Sequence, residues 1–231
     1  MDEYPLISCI MLAGQVLTPD ILHCIDCFHA QIYPHKELII ANNAKDQHLG
    51  YMSPETLDIP ASDDIIIINT PYELSAGAAR NVGVESASGQ IMAQFDADYW
   101  YSPNRLSAQI ATMANEKAHI CVLARTLQYS YVSGRASILK NRQNAILGTM
   151  IWIGDGQIEY PNLSHGEEYG ILRRMLQQGM QPIAIDKPEL CCKLVLTSQE
   201  RQFVPNNIDL TAEQFAIITS ISGIRTPDLS L

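Results

Sequence analysis

Asp96 and Asp98, two carboxylates one residue apart, stand where the apolar run Gln90 to Phe95 stops. In extended backbone an Asp-x-Asp can turn both side chains toward one hard cation, and such a cation suits phosphate oxygens. Ligands of open α/β sheets gather beyond the carboxyl ends of the strands, which is where this pair falls. The pattern predicts a metal-diphosphate site, with a pair of solvated acids in a turn as the plainer alternative. Arg80, upstream on a helical stretch, is a candidate for two-pronged phosphate recognition or else a surface cation.

The elements that must position these residues can be read outward from them. Ser75 is placed to cap a helix whose small residues, from Ala76 through Gly83, let backbone approach backbone or a ligand. A Ser-Gly turn then leads into the Gln90 to Phe95 strand, and Pro103 opens a helix with Leu106, Ile110 and Met113 in register. Earlier in the chain, Pro5 to Leu12 is nearly continuous apolar sequence, as expected of a strand covered on both faces. Thr18-Pro19-Asp20 reads as a helix start, and Ile21, Leu22, Ile25, Phe28 and Ile32 fall along one stripe. Glu37 to Ala41 supplies the next strand of a β-α-β unit, Ile65 to Ile68 another, and Ile120 to Ala124 a further one. The stretch from Arg125 onward is less periodic, with a turn expected around Ser133-Gly134-Arg135 and a strand at Thr149 to Ile153.

Gly77-Ala-Ala-Arg80-Asn81-Val-Gly83, then Phe95-Asp96-Ala97-Asp98, then Pro103 and Arg105 together resemble the nucleotide-sugar half of inverting family-2 glycosyltransferases. The opening strands are similar to that family as well. The resemblance implies an α/β fold of GT-A type: a Rossmann-like, mostly parallel central sheet flanked by helices, with a short antiparallel acceptor-side extension. It implies one domain over residues 1–231, with a nucleotide-sugar-binding half at 1–124 and an acceptor and catalytic half at 125–231. It further implies Mn2+ or Mg2+ held by Asp98 and Asp96, and donor contacts from Ala13, Asn42, Arg80, Asp96 and Ala97. Trp152 would face the acceptor, where a core tryptophan is the equal alternative. Two departures stand out: Leu12-Ala13-Gly14-Gln15 replaces the family's Pro-Thr-Tyr-Asn, and Asn42-Asn43 replaces two acids in the region that contacts the nucleobase. An amide donates as well as accepts, so base preference would shift, unless the pair simply turns the chain.

Relatives carry Gly-Glu-Asp before a later helix, the last acid serving as general base; here the residues are Gly166-Glu167-Glu168. Ser164-x-x-Glu167 has the form of a capping box, which gives Glu167 a structural task. Glu168 precedes Ile171 and Leu172 by three and four residues, so it is expected on the inward stripe, facing a cleft, as the catalytic base. His165 reads as a solvated loop histidine. The family often places a histidine ligand downstream of this helix, yet no histidine follows His165. Thr211-x-x-Gln214 forms a second capping-box pattern before a last helix.

Composition narrows the classes. A formal charge of -10 with fifteen scattered Lys and Arg residues argues against nucleic-acid binding. No run of about eighteen apolar residues is present, and Met-Asp-Glu-Tyr-Pro lacks the form of a signal peptide. A cytoplasmic protein with buried thiols at its six cysteines is expected, including the Cys24-x-x-Cys27 pair, with peripheral membrane contact left open. The expected activity is metal-dependent, inverting transfer from a nucleoside-diphosphate sugar, first of all a UDP-sugar, to a saccharide or other hydroxyl. The competing readings are a non-catalytic nucleotide-sugar-binding relative and, for want of a Gly-rich Lys-bearing first loop more distantly, a nucleotidyltransferase.

Overall fold

The computed structural model describes residues 4–14, 18–43, 51–70, 74–154, 158–195 and 210–222. In chain order the elements are β1 (Ile7–Leu12), α1 (Thr18–His29), β2 (Lys36–Asn42), a single turn α2 (Pro54–Leu57), β3 (Ile65–Asn69), α3 (Ala76–Glu85) and β4 (Ile91–Gln94). There follow β5 (Tyr99–Tyr101), α4 (Arg105–Glu116), β6 (Ile120–Leu123), β7 (Arg125–Ser130), β8 (Arg135–Lys140) and β9 (Ile146–Ile153). The last are α5 (Glu167–Gln177), β10 (Pro182–Ile185), β11 (Cys191–Val195) and α6 (Ala212–Ser222).

Among the described residues, seven strands form the central sheet in the order β10-β6-β9-β4-β1-β2-β3. All neighbours run parallel except β9, which is antiparallel to both β4 and β6. The apolar runs read as doubly covered strands are that: Ile7, Cys9, Ile10 and Met11 of β1 are fully buried, as are Leu38 to Ala41 of β2. On α1, Ile21, Ile25 and Phe28 enter the core, whereas Ile32 lies beyond the helix end and is exposed. All six cysteines are buried and reduced, and burial pushes the Cys9 and Cys191 thiols up to about 12. Thiols held that far from ionisation are packing groups.

The extension is larger than expected. β5, β11, β7 and β8 form a second sheet of four strands in that order. β11 pairs antiparallel with β5 but parallel with β7, so this sheet is mixed. Leu127, Tyr129, Cys192 and Leu194 face Ile218 and Ile221 of α6, which closes that side. The capping box at the start of α6 forms as its sequence predicts: Gln214 N–H donates to Thr211 Oγ at 3.2 Å and Thr211 N–H to Gln214 Oε1 at 3.0 Å. Among the described residues no helix is long and apolar enough to cross a membrane.

Candidate active site

Where β4 ends and β5 begins, the chain passes through Phe95 to Asp98 at the carboxyl edge of the central sheet. Phe95 is fully buried, and its N–H donates to Ile10 O at 3.0 Å. Arg105, with no exposed surface, holds this edge from α4: Nη2 donates to Gln94 O at 2.8 Å and Thr149 O at 3.2 Å. Its guanidinium lies over Tyr101, 4.4 Å from the ring centre. A charge so placed is tolerable only because carbonyls and ring faces replace its water. Two strands of the central sheet are thereby fixed beneath the two acids.

The small-residue helix acts as a clamp. Ser75 caps α3, its hydroxyl accepting from Ala78 N–H at 3.2 Å. Gly77 N–H donates to Leu163 O at 2.9 Å, and a β-carbon at Gly77 would fall 1.9 Å from Pro161 O, so no other residue fits. Asn81 holds the Tyr160 backbone at both ends, donating to its carbonyl at 3.0 Å and accepting from its N–H at 2.7 Å. The loop before α5 is thus drawn onto α3, and Arg80 ends up between the acids of β4 and those of α5.

Arg80 is 5% exposed, and its fork is already used. Nη1 and Nη2 donate to the two oxygens of Asp96 at 2.8 and 3.0 Å, and Nε donates to Glu167 Oε1 at 3.4 Å. Glu168 Oε1 lies 3.9 Å from Nη2. The expected two-pronged grip on phosphate is therefore corrected: Arg80 grips Asp96 and positions it.

One cleft of about 550 Å³ collects these groups. Its lining includes Asn43, Arg80, Asp96, Ala97, Asp98, Tyr99, His165, Glu167, Glu168 and Lys193. Asp96, Ala97, Asp98, Arg80 and Glu168 thus come together, and His165, read as merely solvated, joins the rim. The two acids of α5 differ from expectation in their faces. Glu167, Ile171 and Met175 are the buried stripe, so the more buried acid is Glu167. The capping box at its start does not form: Gly166, at φ 78°, takes the N-cap position, and Glu167 turns to Arg80 instead. Glu168 lies at the edge of that stripe with 26% of its side chain accessible, and the accessible part lies within the cleft. Burial pushes its carboxyl up to about 7; Arg80 opposes this, while Asp96 and Glu167 add to it.

Three expected contacts are corrected. Asn42 turns away: its Nδ2 donates to Asn69 Oδ1 at 2.8 Å, tying β2 to β3, and Asn43 lines the cleft in its place. Asn43 Oδ1 is buried without a partner, and a β-carbon at Gly14 would fall 2.0 Å from it, so this glycine makes room for the amide. Ala13 packs fully buried in the core. Trp152 is 2% exposed and meets Tyr160 edge-on at 6.1 Å, packed with Ile171 and Met175, so it is a core residue and offers no face to an acceptor.

Sequence reasoning missed Lys193. The β5 to β11 register sets Lys193 opposite Tyr99, and Leu194 N–H donates to Asp98 O at 2.8 Å. The Lys193 ammonium pairs with Asp98 Oδ2 and lies 4.7 Å from the Tyr99 ring centre. The available signal was a single lysine inside an otherwise apolar strand, Cys-Cys-Lys-Leu-Val, since an unpaired charge there would be costly. Asp96 and Asp98 are therefore each engaged by a protein cation. Among the described residues no group of three His, Cys, Asp or Glu side chains is arranged to hold a metal ion. Two carboxylates together with substrate phosphates can hold a divalent cation, but here protein cations already neutralise both, so the pair fits one poorly.

The sequence matches the family described as "Glycosyl transferase family 2" over residues 9–179, most of the chain. The chain belongs to glycosyl transferase family 2. Among solved structures, this family 2 chain is similar to the mannosyltransferase PcManGT from Pyrobaculum calidifontis in complex with GDP-Man and Mn2+. That match has a TM-score of 0.62 at 11% identity, covering 96% of this chain and 70% of that one. It is also similar to TarS 1-349 from S. aureus, with a TM-score of 0.58 at 13% identity over 81% of this chain. With UDP-GlcNAc bound, TarS gives a TM-score of 0.57 at 12% identity over 94% of this chain and 65% of that one. This family 2 chain spans 60% of the length of the first TarS structure. At such identities the likeness is one of fold, the GT-A arrangement that the sequence predicts. No match was found among curated proteins.

Proposed function

We propose that this chain transfers a glycosyl group from a nucleoside-diphosphate sugar to an acceptor hydroxyl with inversion, Glu168 acting as general base. The observation that carries the reading is the shared cleft: Glu168 stands in the same space as the acids at the end of β4, beyond the carboxyl ends of the parallel strands. UDP, UDP-GlcNAc and GDP-Man in the complexes of the similar structures support a donor of this class. Asn43 lines the cleft, and its amide is of the kind that pairs with the polar edge of uracil or guanine.

In the transfer the acceptor oxygen attacks the anomeric carbon from the face opposite the diphosphate. The bond from that carbon to the phosphate oxygen breaks, and its electron pair leaves with the diphosphate. Glu168 takes the acceptor proton, and a carboxyl with a pKa of about 7 is well matched to that task at neutral pH. Asp96, fixed by Arg80, lies where it would orient the donor rather than take a proton. Arg80 and Lys193 already pair the two carboxylates that a divalent cation would use.

That pairing is also what favours the second reading, a relative that binds nucleotide-sugars without turning them over. Incubation with UDP-, GDP- and dTDP-sugars, followed by proton NMR of the released sugar, separates the two. Turnover that first yields the anomer opposite to the donor's supports inverting transfer with water as acceptor. Tight donor binding with no turnover identifies the binder, and release of the same anomer overturns the inverting mechanism.

A further inference from the structure

We propose that Lys193, held by Asp98, is a built-in cation for the departing diphosphate, so that this chain binds nucleoside diphosphates without a divalent metal ion. The inference rests on the donor reading above and deepens it. Hydrogen bonding between β11 and β5 is continued past the strand end by Leu194 N–H on Asp98 O at 2.8 Å, so the backbone beside Lys193 is locked to the backbone of Asp98. The ammonium therefore reaches the acid by sheet register and not by chance of a long side chain on a loop.

Burial follows. Cys191, Cys192, Leu194 and Val195 are all buried, and Lys193 is the one ionisable amine in that strand. Its ammonium lies over the Tyr99 ring and enters the cleft with 22% of the side chain accessible. A lysine in such a strand needs an anion, which Asp98 supplies, and the pair keeps the ammonium charged and aimed at the cleft. An ammonium carries three N–H donors, so holding Asp98 is compatible with contacting phosphate oxygens.

A divalent ion on Asp98 would sit against the ammonium on the same carboxylate, and both oxygens of Asp96 already accept from the Arg80 cation. The like charges would repel, which disfavours a divalent ion beside the ammonium. When the anomeric bond breaks, negative charge develops on the β-phosphate oxygen, and a fixed donor aimed there stabilises it most at that moment. The ammonium fills this role with one positive charge where a metal brings two. Diphosphate affinity should accordingly fall steeply with ionic strength.

The test is calorimetric titration of the whole chain with UDP and with GDP, in EDTA and again in Mn2+, for the wild type and for Lys193→Ala, Lys193→Arg and Asp98→Asn. The proposal expects one nucleotide to bind in EDTA with an affinity that Mn2+ changes by no more than about twofold. It expects Lys193→Ala to weaken that binding about tenfold or more and Lys193→Arg to keep most of it, as for loss and retention of a charge-assisted contact. Asp98→Asn removes the anion that keeps the ammonium charged and aimed, so it should weaken EDTA binding in the same direction as Lys193→Ala, which holds the test open should Lys193→Ala fold poorly. Binding that EDTA abolishes and Mn2+ restores, or that Asp98→Asn leaves unchanged, overturns the proposal and leaves the donor reading standing. Affinity unchanged in Lys193→Ala also overturns it. Failure of both nucleotides to bind in either buffer overturns the donor reading along with it.

Discussion

The two walls of the cleft are built by opposite means. The wall from the central sheet is a closed network, in which Arg80 bonds Asp96 and Glu167 while Gly77 and Asn81 bind the loop that brings α5 across. The wall from the second sheet is one ion pair, Lys193 on Asp98, resting on the Tyr99 ring. The first wall is dry, with Arg80 and Asp96 side chains only 6% and 14% accessible, and the second is wetter, at 22% and 32%. Rigidity and adjustable charge are thus divided between two sheets that share one edge, Phe95 to Tyr99.

The comparison breaks most sharply at α5, which the first wall carries into the cleft. Glu168→Gln should lower turnover by about 100- to 10000-fold, the range general-base help supplies, while leaving donor affinity nearly unchanged. Glu167→Gln should leave more activity and show its effect chiefly in melting, since Glu167 accepts from buried Arg80. Kinetics and thermal unfolding of both variants decide this. If Glu167→Gln is the inactive one, the base has been assigned to the wrong neighbour.

Next in size is stability on the two walls. Arg80→Met leaves Asp96 and Glu167 buried and unpaired, which should cost about 3–5 kcal/mol in urea unfolding. Lys193→Met breaks a partly solvated pair and should cost no more than about 1 kcal/mol. Equal losses would mean that the second wall is as much a structural lock as the first.

How far the sequence made these walls legible follows the same division. Gly77, Arg80, Asn81, Asp96 and Asp98 lie within one short stretch, so the local pattern marks them, although it points Arg80 to phosphate where the fold gives it Asp96. The β-α-β start and the Thr211 to Gln214 box were likewise local and formed as expected. What failed was set by distant partners. The Ser164 to Glu167 box lost to Arg80, on another helix; Trp152 was claimed by Tyr160; and Asn42 was claimed by Asn69. Lys193 carried no spacing signal at all, because its meaning comes from strand pairing across nearly a hundred residues of chain, which no local window contains.

A smaller effect tests whether Glu168 owes its charge state to the first wall. Its carboxyl is raised from 4.5 to about 7 by burial, so the folded state holds its proton more tightly than the unfolded chain. The stability this gives is fully present below about 4.5 and is lost as pH rises through about 7. Activity should run the other way, with the low-pH limb of kcat/KM near 7 falling about tenfold per pH unit below it, because only the ionised base accepts a proton. Glu168→Gln should flatten both profiles over this interval, and wild-type profiles that rise or fall together would separate the titrating group from Glu168.

The smallest effect lies outside the cleft and calibrates the rest. Thr211→Ala removes the hydroxyl that accepts from Gln214 N–H at the start of α6, and a lost cap typically costs about 1 kcal/mol. The helix closes the far face of the second sheet through Ile218 and Ile221, while Lys193 stands on the opposite face of β11 from Leu194. Urea unfolding should therefore register the loss while nucleotide affinity holds. If affinity falls as well, the second sheet transmits strain from α6 to the ammonium, and the softer wall of the cleft is governed by the packing behind it as much as by Asp98.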